Sequence, residues 1–194
     1  YIKLKMASLT KSNQFSGEIH LIMGPMFSGK TTELLRIYNR FKIANKKCVL
    51  IKFKNDTRYD NDNKIVTHSH NKQEAHFICT HLSDIFQNKI ILEADVICVD
   101  EIQFYSDADI ICDMWANNGK HVVVSGLNGD YKREPFEIVS KLIPKVEQMT
   151  FLTAICKETG NEAYFTKRTN KNESKMLIGG EEAYNAVCRK NYFN

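Results

Sequence analysis

The sequence predicts an α/β fold, a parallel sheet with helices on both faces. Short apolar, β-branched runs alternate along the chain with segments of helical period, the pattern left by strands joined through crossover helices. The first run ends in a glycine and leads at once into a helical segment, and a later one, Val96 to Val99, ends in the acidic pair Asp100-Glu101. With 194 residues, 43% of them hydrophobic and 26% charged, the chain can bury the core of one ordinary domain and a small appendage.

In chain order, residues 1–16 carry Lys3, Lys5 and Lys11 without an apolar stretch and are expected to form a disordered tail. Ile19 to Met23 reads as a buried strand. Lys30 to Ala44 places Leu34, Leu35, Ile37, Tyr38 and Phe41 at helical spacing. Cys48 to Phe53 is a second strand, residues 54–74 a long mobile polar loop, Ala75 to Cys79 a third strand and His81 to Lys89 a helix. After the strand Val96 to Val99 come a helix from Asp107 to Asn118, a stop at Gly119-Lys120 and a strand from His121 to Ser125. Beyond a boundary near residue 150, Gln148 to Cys156, Tyr164 to Thr169 and Lys175 to Ile178 read as strands, and Glu181 to Arg189 as a closing helix. The expected units are thus 17–150 and 151–194.

A net charge of +4 suits a small anionic ligand and argues against a dedicated nucleic-acid binder. The longest apolar runs are interrupted by Lys, Asp or Glu, so no bilayer-spanning segment is expected. The six cysteines show no framework spacing, which points to reduced thiols and a cytoplasmic setting.

Gly24-Pro25-Met26-Phe27-Ser28-Gly29-Lys30-Thr31 matches G-x-x-x-x-G-K-[ST]. Glycines let successive N–H groups turn inward as an anion nest, and the helix behind adds its positive end. Lys30 is placed for the β- and γ-phosphates of ATP and the Thr31 hydroxyl for Mg²⁺. The pattern alone arises by chance in about one chain in a hundred of this length; its place between a strand and a helix makes it a phosphate-binding loop, or P-loop. Asp100, closing an apolar strand, is the expected second Mg²⁺ contact, held through water. Glu101 beside it suits either orienting a water for hydrolysis or accepting a proton from a substrate hydroxyl, and spacing does not choose between them.

The blocks GPMFSGKTTEL (24–34), KNDTRY (54–59), DEIQFY (100–105), GLNGDYKREPF (126–136), TAIC (153–156), AYFTKR (163–168), IGGEEAY (178–184) and VCRKNYF (187–193) resemble cellular and poxviral thymidine kinases of the cytosolic type. The resemblance runs almost without gaps from about Gly17 to Phe193. It implies a RecA-like P-loop sheet flanked by helices, with a small C-terminal zinc-ribbon-like β subdomain bearing a lasso loop. It also implies transfer of the γ-phosphoryl of ATP to the 5′-hydroxyl of thymidine, and of deoxyuridine, in DNA precursor salvage. Glu101 matches the family's general base and Arg58 an arginine near the phosphates. Asp56 and Gln103 join the phosphate side with the loop residues. Tyr131 matches an aromatic position that stacks on the base, Phe104, Leu127 and Met26 its apolar walls, and Tyr184 a tyrosine at the sugar end. Main-chain groups near Thr166 and from Lys175 through Met176, Leu177 and Ile178 to Gly179 would read the pyrimidine edge from the lasso. A homotetramer and feedback by thymidine triphosphate are implied as well, with no nucleic-acid or membrane partner.

The chain departs from that family at its structural zinc, which two Cys-x-x-Cys pairs hold. Here the pairs read Cys156-Lys157-Glu158-Thr159 and Cys188-Arg189-Lys190-Asn191. Two thiolates do not close a tetrahedral site, so no structural zinc is expected. Cys156 and Cys188 are remnants, and packing by Phe151, Phe165 and Ile178 is expected to hold the subdomain. His68-x-His70, with His76 and His81 nearby, reads as loop histidines rather than ligands, and Asp60-Asn61-Asp62-Asn63 lacks the glycine and glutamate of a calcium loop. Competing readings are a kinase of another deoxynucleoside such as deoxycytidine, a nucleic-acid-stimulated ATPase, and a regulatory paralogue that binds nucleotide without turnover. The mild charge argues against the second, and the presence of Lys30, Thr31, Asp100 and Glu101 against the third.

Overall fold

Alternation along the strands builds two cores. The computed structural model describes residues 17–54, 64–66, 72–169 and 183–193. In β1 (Glu18–Gly24), Ile19, Leu21 and Met23 enter one apolar cluster and Ile22 the other. The same split recurs in β2 (Cys48–Phe53), β6 (Val96–Val99) and β7 (His121–Leu127), as a strand buried on both faces requires. With β5 (Phe77–Cys79) and β8 (Gln148–Phe151) these strands form a six-stranded, wholly parallel sheet in the order β5-β2-β6-β7-β1-β8. The predicted α/β class holds.

Helix α1 (Lys30–Ile43) lays Leu34, Leu35, Ile37 and Tyr38 over the face formed by Ile22, Leu50, Val96, Cys98 and Val123. Gly29 precedes it at φ 82, a left-handed entry that costs glycine little. Asn45 at φ 58 turns the chain out at the other end. The opposite face is covered by α3 (Ala108–Asn117), whose Trp115 is fully buried, and by α4 (Glu137–Leu142). Six short strands complete the described β structure: β3 (Lys64–Val66) pairs with β4 (Lys72–Glu74), β9 (Ala154–Ile155) with β10 (Glu162–Ala163), and β11 (Phe165–Arg168) with β12 (Tyr184–Val187), all antiparallel.

Several expectations are corrected. The helix expected from His81 to Lys89 is a 3-10 turn at Leu82–Asp84 followed by α2 (Lys89–Glu93). Asp107 accepts from the N–H groups of Leu82 (3.2 Å) and Ser83 (2.8 Å), and the Asn88 side chain caps Ile90 (2.9 Å), which starts a separate helix there. The closing helix expected over Glu181 to Arg189 is strand at Tyr184–Val187, because that segment pairs antiparallel with β11 and buries Tyr184, Ala186 and Val187; α5 (Arg189–Phe193) follows it. The strand expected from Gln148 to Cys156 divides at Leu152-Thr153, its first part closing the large sheet and its second pairing with β10. Part of the polar segment 54–74 is strand, in β3 and β4, and α4 was not anticipated. The lasso strand at Lys175 to Ile178 and the tail 1–16 lie outside the described residues.

Three rings, His20, His76 and His121, have their pKa lowered from 6.5, chiefly by burial. For His76 the geometry agrees, since its Nδ1 accepts the Leu50 N–H at 3.1 Å and must be unprotonated to do so. For His121 the neighbouring Glu18, at 2.7 Å, opposes the shift without reversing it. A depressed folded-state value means that the unfolded chain binds more protons just below its own pKa of about 6.5. The stabilisation is therefore complete above that value and is lost as pH falls through the folded values. Denaturant midpoints are expected to drop between about pH 7.5 and pH 5.5; a flat profile would show that the rings are not held neutral.

Candidate active site

The P-loop leaves the C-terminal end of β1 under close steric control. A Cβ on Gly24 would stand 2.3 Å from the Leu152 carbonyl oxygen and 2.7 Å from Ser28 Oγ, so only glycine fits this junction. Phe27, at φ 65, and Gly29 supply the left-handed turns of the loop. The Ser28 hydroxyl donates to the Pro25 carbonyl (2.9 Å), and buried Lys30 donates to the same oxygen at 2.6 Å. The lysine ammonium is thereby held against the loop at the N-terminus of α1, where backbone N–H groups and the helix dipole favour anions.

Asp100 follows the end of β6 and collects donors from three elements. It accepts from the Thr31 hydroxyl (3.1 and 3.3 Å to its two oxygens), from the Ser125 hydroxyl of β7 and from the Glu101 N–H (3.1 Å). Paired hard oxygens from Thr31 and Asp100 fit Mg²⁺, which takes one or two protein oxygens and fills its remaining positions with water and phosphate. Buried Glu101 adopts φ 57, ψ 48, a left-handed conformation costing a non-glycine residue roughly 1–3 kcal/mol. Gln103 fixes the side chain: its amide nitrogen donates to the Glu101 carboxylate while its carbonyl accepts the Leu127 N–H at 3.1 Å.

Beside the loop, Met26, Ala183 and Tyr184 form an apolar cluster with Phe27, Leu127 and Tyr131. The predicted nucleoside-side residues Met26, Leu127, Tyr131 and Tyr184 therefore meet in one place, although they come from three separate segments. Phe104 stands apart from the cluster, tilted at 31° against Phe53 with ring centroids 5.1 Å apart at the large core. Thr166 reaches the P-loop through its side chain, which accepts the Met26 N–H at 3.0 Å. Asp56, Arg58, Lys175, Met176, Leu177, Ile178 and Gly179 lie outside the described residues, as do His68, His70 and the run from Asp60 to Asn63.

Three contributors carried no role in the sequence reading. Ser125 is the buried hydroxyl that faces Asp100. Asp130 organises the loop bearing Tyr131 by accepting from the N–H groups of Lys132 and Glu134, both at 2.8 Å; the Asn-Gly-Asp run at 128–130 was its available signal. Arg168 lays its guanidinium 3.8 Å from the Tyr131 ring centroid and donates to the Tyr184 phenol at 2.7 Å. An arginine in a four-residue strand gave no warning of that.

Among the C-terminal elements the four positions of the two Cys-x-x-Cys-like pairs converge. Thr159 donates to the Cys188 sulfur at 3.8 Å and Asn191 to the Cys156 sulfur at 3.5 Å. The Thr159 hydroxyl and the N–H groups of Cys188, Thr159 and Glu158 hold the Cys156 thiol down to about 6. Two thiols, a hydroxyl and an amide do not fit zinc, and cross-hydrogen bonding occupies the place of coordination. Phe165 packs here with Tyr192, whereas Phe151, expected to share the task, is 48% exposed on β8; Ile178 is outside the described residues.

The thymidine kinase family model matches residues 17–192. The chain is 46% identical to "Thymidine kinase 1" of Dictyostelium discoideum over 92% of its length and 79% of that protein's. It is 44% identical to "Thymidine kinase, cytosolic" of Homo sapiens, covering 91% of this chain and 74% of the relative. It is 43% identical to "Thymidine kinase" of Vaccinia virus (strain Western Reserve), covering 92% and 98%.

Metal analysis of purified protein is expected to find well under one equivalent of zinc, and chelator should leave the melting temperature unchanged. One tightly held equivalent would overturn the hydrogen-bonded reading of the quartet.

Proposed function

The chain belongs to the thymidine kinase family, and from that premise we propose how its residues carry a phosphoryl group from ATP to the 5′-hydroxyl of thymidine, and of deoxyuridine, for DNA precursor salvage. It is a nucleoside kinase. The observation that supports the residue assignment is one juxtaposition: a buried carboxylate, Glu101, follows directly on Asp100, and the apolar cluster of Met26, Leu127, Tyr131 and Tyr184 adjoins the same loop.

In this reading the N–H groups of residues 24–31 and the start of α1 hold the ATP phosphates, with Lys30 moving from the Pro25 carbonyl to β- and γ-phosphate oxygens. Thr31 and Asp100 would hold Mg²⁺, which when bound neutralises charge on those oxygens. Met26 and Tyr131 hold the base and Tyr184 the sugar end, so that the 5′-oxygen faces the γ-phosphorus. That oxygen forms the new P–O bond as the bond to the bridging oxygen breaks and ADP leaves. The hydroxyl proton passes to Glu101. The transition state is loose, so alignment and charge neutralisation matter more than a strong base. Gln103 keeps the Glu101 carboxylate in place, Arg58 and Asp56 join the phosphate side, and main-chain groups of Lys175 to Gly179 read the base.

The division proposed is residues 17–150 for nucleotide and 151–194 for covering the nucleoside. A cytoplasmic homotetramer, inhibited by thymidine triphosphate, is proposed on family membership. No helix among the described residues is long and apolar enough to cross a membrane.

With purified protein and Mg·ATP, ADP release should follow thymidine first and deoxyuridine second, with little response to deoxycytidine. Preference for deoxycytidine would replace the substrate, and stimulation by nucleic acid instead of nucleoside would replace the function. Glu101→Gln should lower kcat by about two orders of magnitude or more while ATP binding persists; near-full activity would remove Glu101 from the role of base.

A further inference from the structure

Strand β11 alternates so that Thr166 and Arg168 share its buried face. Thr166 uses that face to hold the backbone of Met26 in the P-loop. Arg168, only 9% exposed, uses it to reach both tyrosines of the pocket. Its guanidinium carbon lies 3.8 Å from the Tyr131 centroid and 5.2 Å from that of Tyr184, and Nη2 donates to the Tyr184 phenol oxygen at 2.7 Å. Burying a cation is costly unless its charge is met. Two electron-rich ring faces and a phenol oxygen meet part of it here.

The contact has a directional consequence. Tyr131 comes from the loop after β7 and Tyr184 from the start of β12, and each arrives with its own backbone freedom. A planar fork lying on one ring and bonded to the hydroxyl of the other fixes the two relative to each other. Neither ring can turn without losing its share of the guanidinium. A lysine could supply the charge but neither the flat stacking surface nor the aimed N–H.

We propose that Arg168 is a positioning residue for the nucleoside: by clamping Tyr131 to Tyr184 it sets the width and tilt of the slot that receives the pyrimidine and sugar. This rests on the nucleoside pocket proposed above. Arg168 acts through the tyrosines and has no part in holding the phosphates, so its loss should be felt in thymidine recognition and barely in ATP recognition.

The test is steady-state kinetics of wild type, Arg168→Met, Arg168→Lys, Tyr184→Phe and the Arg168→Met/Tyr184→Phe double variant, with each substrate varied in turn and melting curves alongside. Arg168→Met should raise KM for thymidine by about tenfold, leaving KM for ATP within about twofold. Arg168→Lys should fall between it and wild type. The double variant should cost little more than Arg168→Met alone, because residues acting as one unit are not additive. Should Arg168→Met fail to fold, Arg168→Lys and Tyr184→Phe carry the same comparison. An unchanged KM for thymidine, an equal rise for both substrates, or fully additive effects would overturn the proposal. A wild-type protein idle on thymidine would instead overturn the function on which it rests.

Discussion

The carboxylate of Asp100 is the constraint on which the site depends. It is 7% exposed, so its charge must be met by hydrogen bonds, each worth roughly 1.5–3 kcal/mol for a charged acceptor. The donors come from the second residue of α1, from β7 and from the following peptide. The parallel register makes this inevitable: Val99 lies opposite Val124, so the next residue of each strand, Asp100 and Ser125, meets its neighbour at the sheet's C-terminal edge. One side chain thus ties the first turn of α1, strand β7 and the peptide at Glu101 together.

The apolar cluster around Tyr131 is secured differently, by rings and cations that join the loop after β7 to the C-terminal elements. Arg133, itself at φ 65, places its guanidinium 4.6 Å from the Tyr192 centroid and 4.7 Å from that of Phe193, and Tyr192 donates its hydroxyl to the Tyr131 carbonyl at 2.8 Å. Arg189 lies over Phe165 at 4.9 Å. The loop carrying Tyr131 is therefore bound to α5, and its steadiness follows that of the C-terminal elements. Those elements draw it from Phe165, Tyr192 and the hydrogen-bonded quartet around Cys156 and Cys188.

The central sheet was legible because its strands are buried on both faces, and a run such as Val96 to Val99 admits little else. Helix α1 declared itself through Leu34, Leu35, Ile37 and Tyr38, and α3 through its period and the Gly119 stop. Reading failed where tertiary pairing overrides local pattern: Tyr184 to Val187 satisfies a helical count, yet it is the partner of β11. It also failed where a distant side chain intercepts backbone donors, as Asp107 does at Leu82 and Ser83. At the candidate site, Lys30 and Thr31 stood out because the phosphate-loop pattern sets their spacing, and Asp100 because it closes an apolar strand; the role proposed for Glu101 came from the resemblance. The resemblance supplied Tyr131 and Tyr184. Arg168 was hidden because its importance lies in what it touches across the fold, which spacing does not encode.

The left-handed backbone at Glu101 sets two selective pressures against each other. Glycine or asparagine would relieve the conformational tension there, and a screen for heat resistance alone would drift towards them. Either would remove the acid. With Glu101 as the proton acceptor proposed above, position 101 becomes a place where robustness and turnover pull in opposite directions.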